Sequence, residues 1–69
     1  MEEATFIGKV IWFAKTHGFI ARENEKDIFV HWSDIVSEGF KTLQKDQAVS
    51  FQIGLNKHGQ PKAVNVRVI

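Results

Sequence analysis

Aromatic side chains recur at every second position in two nearby segments of this chain, and their spacing is suited to stacking chemistry. Because side chains of a strand point alternately to opposite faces, His17 and Phe19 share one face, and Phe29 and His31 share a face of the second segment. The intervening positions carry small or aliphatic residues of the kind that fill a core: Gly18, Ile20, Ile28 and Val30. A row of exposed rings lowers solubility unless a ligand covers it. We therefore predict that these rings form a surface on which nucleobases stack.

The composition is that of a small globular protein. The chain has 69 residues, of which 43% are hydrophobic and 25% charged, so we expect a single domain spanning residues 1–69. It contains no cysteine, which excludes disulfides and thiolate metal sites and suits a reducing compartment. Residues 1–4 lack the features of a signal peptide, and no apolar run approaches the roughly 20 residues that span a bilayer. These features predict a cytoplasmic protein without membrane contact.

The net charge bears on the kind of nucleic acid that could bind. It is only +1, whereas duplex-binding proteins usually carry a strong basic excess. Stacking must then supply much of the affinity, with few phosphate contacts. Because single strands leave their bases available for stacking, we expect single-stranded RNA or DNA as the partner.

The pattern of the chain predicts strands and no long helix, because β-branched and aromatic runs alternate with turn signals at near-regular spacing. The predicted strands span residues 5–13, 17–22, 27–31, 48–53 and 62–69. A polar hairpin turn over residues 23–26 joins the second and third strands. Ser33 is expected to cap a single helical turn, and Ile35 to plug one end of a barrel. A long connection over residues 36–47 follows, and such loops in compact domains are usually functional.

Alternation also assigns a core and an architecture. The expected inward residues of the last two strands are Val49, Phe51, Ile53, Ala63, Val64, Val66 and Val68. In the first strand Gly8 predicts a bulge or bend, and the apolar run at 11–13 breaks alternation, so we place Trp12 on the surface with Phe13 partly covered. Short strands with one long loop predict an all-β fold, a five-stranded antiparallel Greek-key barrel. Barrels of this kind commonly bind single strands on strands two and three.

Several sequence blocks, met in order along nearly the whole chain, resemble the motifs of the cold-shock domain family. IFVHW at 28–32 is similar to the second ribonucleoprotein motif of that family, and KTHGFI at 15–20 to a degraded first motif. The other matching blocks are GKVIWF at 8–13, GFKTL at 39–43 and AVNV at 63–66. The resemblance implies an OB-fold barrel of the cold-shock type that binds single-stranded RNA and DNA. Members act as RNA chaperones or as regulators of transcription or translation.

Carried over position by position, the resemblance implies a binding face of rings with a cation beside it. The implied residues are Trp12, Phe13, His17, Phe19, Phe29, His31, Trp32 and Phe40, with Lys15 as a phosphate contact. The alternation described above selects His17, Phe19, Phe29 and His31 independently of the family. Four further lysines are either phosphate neighbours or ordinary solvated side chains: Lys41, Lys45, Lys57 and Lys62.

The chain departs from the family pattern around the connection between the first two strands, which is shorter than usual. His17 stands in place of an aromatic ring, Ile11 in place of a lysine, Ala14 in place of an asparagine and Thr16 in place of a glycine. An imidazole stacks less well than a larger ring, and the missing lysine removes a basic contact. We therefore expect somewhat weaker binding near neutral pH and a different backbone path in this connection.

The same residues also allow functions other than nucleic-acid binding. A cluster of His17, His31 and Asp27 would allow metal or acid–base chemistry, but the chain lacks paired ligand spacing, a nucleophile beside a base and a phosphate-binding glycine loop. We expect no enzyme, cofactor, metal or small-molecule substrate. One open alternative is a protein-interaction module that uses the same rings. Another is a second small core, in which Phe40 closes over Phe19 and Phe29. A monomer is expected, and a domain-swapped dimer also stays open.

Overall fold

The computed structural model describes residues 4–37 and 41–69. Its strands are β1 (Phe6–Ala14), β2 (His17–Arg22), β3 (Glu25–His31), β4 (Ala48–Leu55) and β5 (Pro61–Val68), and a 3₁₀ turn spans Trp32–Asp34. The strands close into a barrel in the order β1-β2-β3-β5-β4. The predicted all-β, five-stranded barrel of the OB-fold type is confirmed. The contact that joins β3 to β5 is short and parallel, while the other strand pairs are antiparallel.

Strand β1 is shared between two partners, and this sharing bends the sheet. Its first half pairs with β4 and its second half with β2, so Lys9 lies opposite both Ala48 and Ala21. Gly8 leaves room for the β2 side chains, because a Cβ there would lie 2.5 Å from a methyl of Ile20. The register with β2 shifts between Val10 and Trp12, so the bulge lies at Ile11, inside the run where alternation was predicted to break, and not at Gly8.

Every strand contributes to one apolar core. Its buried residues are Val10, Ile20, Ile28, Val30, Ile35, Leu43, Val49, Phe51, Ala63 and Val66. Among the residues that the structure describes, Phe51 is the largest side chain that is fully buried. Ile35 plugs the core from the end of the 3₁₀ turn, as predicted, whereas the burial of Leu43 from the long connection was not foreseen. The long connection is therefore packed onto the barrel through Leu43.

Two residues predicted to point inward are exposed instead. Ile53 is 40% exposed because β4 continues to Leu55, beyond the packed part of the barrel, and Val68 is 50% exposed near the end of β5. Asn65 adopts a φ of 51° and adds an extra residue to β5 where the register with β4 shifts. The buried positions of β5 are consequently Ala63 and Val66, three residues apart, and strict alternation fails there.

Backbone hydrogen bonds attach both ends of the long connection to the barrel. The N–H of Val36 donates to the carbonyl of Val66 at 2.8 Å. At the other end, the N–H of Asp46 donates to the carbonyl of Val10 at 2.7 Å, and the N–H of Val10 donates to the carbonyl of Gln47 at 2.9 Å. Within the described ranges no helix is long and apolar enough to cross a membrane.

Candidate nucleic-acid interface

Strands β1, β2 and β3 bring Trp12, His17, Phe19 and Phe29 together on the outer face of the barrel, and we call these residues the four-ring cluster. Each ring contacts two others, with centroids 5.5–5.8 Å apart. His17 is nearly parallel to Phe29, at 27°, while Phe19 meets Phe29 edge to face, at 77°. Ring pairs at these separations attract one another. The cluster is therefore a connected aromatic surface rather than a set of separate rings.

Strand register explains why these rings meet. Phe19 lies directly opposite Phe29 across β2 and β3, and His17 lies opposite His31. Their alternate neighbours point inward, since Ile20 and Val30 are both buried. The register of a strand with one buried face cannot slip by a residue without exposing its core side chains. Core packing thus fixes the positions of the rings on the other face.

Trp12 joins the cluster because of the bulge in β1. The register shift at Ile11 places Trp12 opposite Phe19 and leaves its side chain 41% exposed. The neighbouring position on β2 is Gly18, where a Cβ would lie 2.1 Å from the carbonyl oxygen of Trp12. The close approach of β1 and β2 at Gly18 is what holds Trp12 over its neighbours.

His31 and Trp32 form a second aromatic group, which we call the turn pair. Their ring centroids are 5.7 Å apart. The Nδ1 of His31 accepts a hydrogen bond from the backbone N–H of Ser33 at 3.2 Å, so His31 caps the 3₁₀ turn. The prediction that Ser33 would be the cap is wrong by two positions, because the turn begins at Trp32. Since Nδ1 is an acceptor, we assign the proton of the neutral imidazole to Nε2.

Two further contacts hold the turn pair in place. The backbone N–H of Trp32 donates to the carbonyl of Thr16 at 2.8 Å, which ties the turn to the connection between β1 and β2. The ammonium of Lys62 lies 3.2 Å from a carboxylate oxygen of Asp34, which ties the turn to β5. Lys62 is therefore already engaged with a carboxylate.

A cation lies directly on the turn pair. The Nζ of Lys41 is 5.6 Å from the centroid of the Trp32 ring, above its face. Contacts of this kind are electrostatic attractions between an ammonium and the ring quadrupole. Sequence patterning offered no signal that would have singled out Lys41 among the lysines.

The remaining predicted residues lie apart from the rings. Phe13 is opposite Gly18 and is half-buried against the core, so its side chain points away from the four-ring cluster. Lys15 is exposed in the two-residue turn between β1 and β2, with a φ of 53°. This is the connection for which the departures from the family pattern predicted a different backbone path. Phe40 lies outside the described residues. The alternative in which Phe40 closes over Phe19 and Phe29 therefore stays open.

The chemistry that these groups offer is stacking with sparse charge. In the part of the chain that the structure describes, no group of three or more histidine, cysteine, aspartate or glutamate residues is placed to hold a metal ion. The hydroxyl of Thr16 lies 3.2 Å from Nδ1 of His17, at the edge of the imidazole, and the flat side of the same ring faces Phe29. The arrangement suits planar ligands.

Comparisons with known proteins agree with this geometry. The family model of the 'cold-shock' DNA-binding domain matches residues 6–69. A cold shock-like protein of Thermotoga maritima is 50% identical over 64 residues, which cover 90% of this chain and 96% of the relative. A cold shock-like protein of Aquifex aeolicus is 52% identical over 68 residues, covering 94% and 96%. Cold shock protein CspB of Bacillus caldolyticus is 51% identical over 61 residues, covering 86% and 91%. The chain therefore belongs to the cold-shock domain family of nucleic-acid-binding proteins.

Proposed function

We propose that this protein binds single-stranded RNA and DNA by stacking bases on the four-ring cluster and on the turn pair. The observation that carries the proposal is the closed circuit of ring contacts among Trp12, His17, Phe19 and Phe29 on the outside of the barrel. Because these rings already pack against one another, they lose little conformational freedom when a base stacks on them. Base–aromatic stacking also tolerates any sequence, because every base has a flat face.

Charge supports single strands over duplex. The net charge of +1 offers few cations for the phosphates of a duplex. Single strands bind such surfaces because their unpaired bases reach the rings. From its family we further propose that the protein melts weak RNA secondary structure as a chaperone, or regulates transcription or translation. We propose that it does so as a cytoplasmic monomer. The family consists of nucleic-acid-binding proteins rather than enzymes.

Tryptophan fluorescence tests the stacking proposal directly. Oligo-dT and oligo-U of about seven nucleotides should quench the emission in a saturable titration with one strand per protein. Phe19→Ala and Phe29→Ala should each weaken binding by about 1–3 kcal/mol, because each removes a ring on which a base stacks. Thermal unfolding followed by circular dichroism establishes that both variants remain folded.

Phe6→Ala is the matched control for these variants. Phe6 is 41% exposed, as Trp12 is, but it packs on Phe51 at a ring distance of 6.0 Å and lies outside the four-ring cluster. Its removal should leave oligonucleotide binding unchanged. If the wild type ignores oligonucleotides while a protein ligand binds through Phe19 and Phe29, the protein-interaction module becomes the better account of the same rings.

A hairpin-opening assay separates chaperone activity from simple binding. A weak RNA hairpin carrying a fluorophore and a quencher at its ends should open on addition of the wild type, since binding stabilises the single-stranded state. Phe29→Ala should require a higher protein concentration for the same opening, in proportion to its weaker binding. If both proteins opened the hairpin at the same concentration, hairpin opening would not depend on stacking on Phe29.

A further inference from the structure

One face of the Trp32 indole is covered by a cation in this structure. The ammonium of Lys41 lies above the ring, 5.6 Å from its centroid. Trp32 as a residue nevertheless remains 41% exposed, so it is accessible at the surface. A base that stacks on the covered face must first displace the ammonium.

The two partners of this contact are held very differently. Trp32 sits in a turn that His31 caps, and its own N–H donates to the carbonyl of Thr16. Lys41 is an exposed residue of the long connection, outside any strand or turn, and carries a flexible four-carbon stem. When the contact breaks, Lys41 is therefore the group that moves.

Displacing Lys41 costs little affinity. Cation–π contacts at exposed sites are weak, so the loss of this one lowers the affinity for an incoming base by only about two- to five-fold. The released ammonium then lies next to a nucleotide whose base occupies its former place. A compact, strongly hydrated ammonium is well suited to meet a phosphate there.

We propose that Lys41 exchanges partners on binding: it covers Trp32 in the free protein and contacts a backbone phosphate once a base has taken its place on the indole. This inference rests on the proposed function and assigns a phosphate-binding residue to it. Lys62 is less suited to the same role because its ammonium already lies 3.2 Å from the carboxylate of Asp34.

The salt dependence of binding is the first test. Lys41→Met keeps an apolar stem and removes the charge, and it should reduce the slope of log affinity against log salt by about 0.7, the value for one phosphate contact on a single strand. As the salt concentration rises from 50 to 200 mM, the ratio of wild-type affinity to Lys41→Met affinity should fall by about 2.6-fold. The measurement is the affinity for oligo-dT of about seven nucleotides at each salt concentration.

Lys45→Met is the matched control. Lys45 is an exposed lysine of the same connection, and its neighbour Asp46 is hydrogen-bonded to Val10 on β1. The variant makes the same change in net charge, but Lys45 does not cover Trp32. Its salt slope should stay close to that of the wild type. Equal reductions in both variants would assign the effect to net charge and overturn the proposal.

The covering of Trp32 is tested in the free protein. The chain has two tryptophans, so Trp12→Phe leaves Trp32 as the only one and keeps a ring at position 12. In that background Lys41→Met should make Trp32 emission more sensitive to quenching by acrylamide. The difference should vanish in the saturated oligo-dT complex, where a base covers the ring in both proteins.

The outcomes distinguish this inference from the proposed function. If the wild type binds oligo-dT but Lys41→Met leaves its salt slope unchanged, the phosphate contact is wrong while the stacking proposal stands. If acrylamide quenches Trp32 equally with and without Lys41, the covering contact is absent in solution and the exchange is overturned. If the wild type fails to bind any oligonucleotide, the stacking proposal itself is overturned together with the exchange.

Discussion

The four-ring cluster and the turn pair are neighbouring aromatic groups that different forces hold in place. In the four-ring cluster each ring touches two others, and the strand register that aligns Phe19 with Phe29 is fixed by the core beneath. In the turn pair His31 still belongs to β3, but Trp32 lies beyond the end of the strand. Its position depends on the cap from His31, its backbone hydrogen bond to Thr16, the ion pair of Asp34 with Lys62 and the cation of Lys41.

Because of this difference, the four-ring cluster is preorganised for stacking, whereas the turn pair can rearrange when a ligand binds. Rings fixed by the sheet offer a base a ready stacking site, and little further ordering is required when it binds. Trp32 carries a displaceable cation, and the turn that holds it is attached by a few polar contacts, each worth roughly 1 kcal/mol or less. We expect the four-ring cluster to supply most of the affinity and the turn pair to modify it.

The largest expected effect comes from breaking the approach of β1 to β2. Gly18→Ala places a Cβ 2.1 Å from the carbonyl oxygen of Trp12, so the strands must separate. We expect a loss of about 3 kcal/mol of stability, at the upper end of the usual cost of overpacking, together with loss of binding because Trp12 leaves the four-ring cluster. Unfolding in urea and an oligo-dT titration measure the two effects.

Gly54→Ala provides the control for a glycine in a strand. Its Cβ would meet a methyl of Val64 at 3.0 Å, which is a movable side chain rather than backbone. The expected change in stability is within about 1 kcal/mol, and binding should persist. Similar losses in the two variants would show that the contact with Trp12 is not what makes Gly18 necessary.

A pair of substitutions at His31 separates its two roles in the turn pair. His31→Asn keeps a side-chain acceptor for the N–H of Ser33 but removes the ring, so stability should be retained while binding falls by about 1–3 kcal/mol. His31→Phe keeps a ring but removes the acceptor, so stability should fall by about 1 kcal/mol while binding is largely retained.

Both His31 variants are measured by thermal unfolding and by oligonucleotide titration, with the wild type alongside. If His31→Asn were destabilised and His31→Phe were as stable as the wild type, packing of the ring rather than the cap would hold the turn.

The smallest expected effect concerns the ion pair beneath the turn. Asp34→Asn should lower stability by about 0.2–1 kcal/mol, because the pair is partly exposed to solvent and is screened by salt. Binding through the four-ring cluster should be unaffected. A double-mutant cycle with Lys62→Met measures the coupling energy between the two positions. A coupling energy of zero would show that the ion pair does not stabilise the turn.

Much of the fold could be predicted from local patterning. Residues that alternate along a strand reveal its buried face wherever the strand is regular, which is why Ile20, Ile28, Val30 and Phe51 were assigned correctly. The same rule failed for Val68, near the end of β5, and for Ile53, where β4 extends past the packed barrel. These errors arise where the backbone stops being a regular, fully packed strand.

In the candidate site, too, the residues on regular strands could be predicted, and the features that depend on tertiary contacts could not. The face shared by His17 and Phe19, and that shared by Phe29 and His31, followed from side-chain parity alone. The exposure of Trp12 was predicted from the break in alternation, but its position opposite Phe19 depends on a bulge in the pairing with β2. Lys41 reached Trp32 through the path of a long connection. The binding roles of all these residues, and of Phe40 and Lys15, stay predictions until oligonucleotides are titrated.

The sequence by itself determined the strand content, the rings on β2 and β3 and the family, because alternation and motif spacing are properties of short segments. Only the tertiary structure decided how those segments meet. It set the bulge that places Trp12 opposite Phe19, the cap that His31 provides, the ion pair that anchors the turn and the cation on Trp32. The physical reason is that register and barrel closure depend on contacts between residues far apart in the chain, and no local pattern encodes them separately.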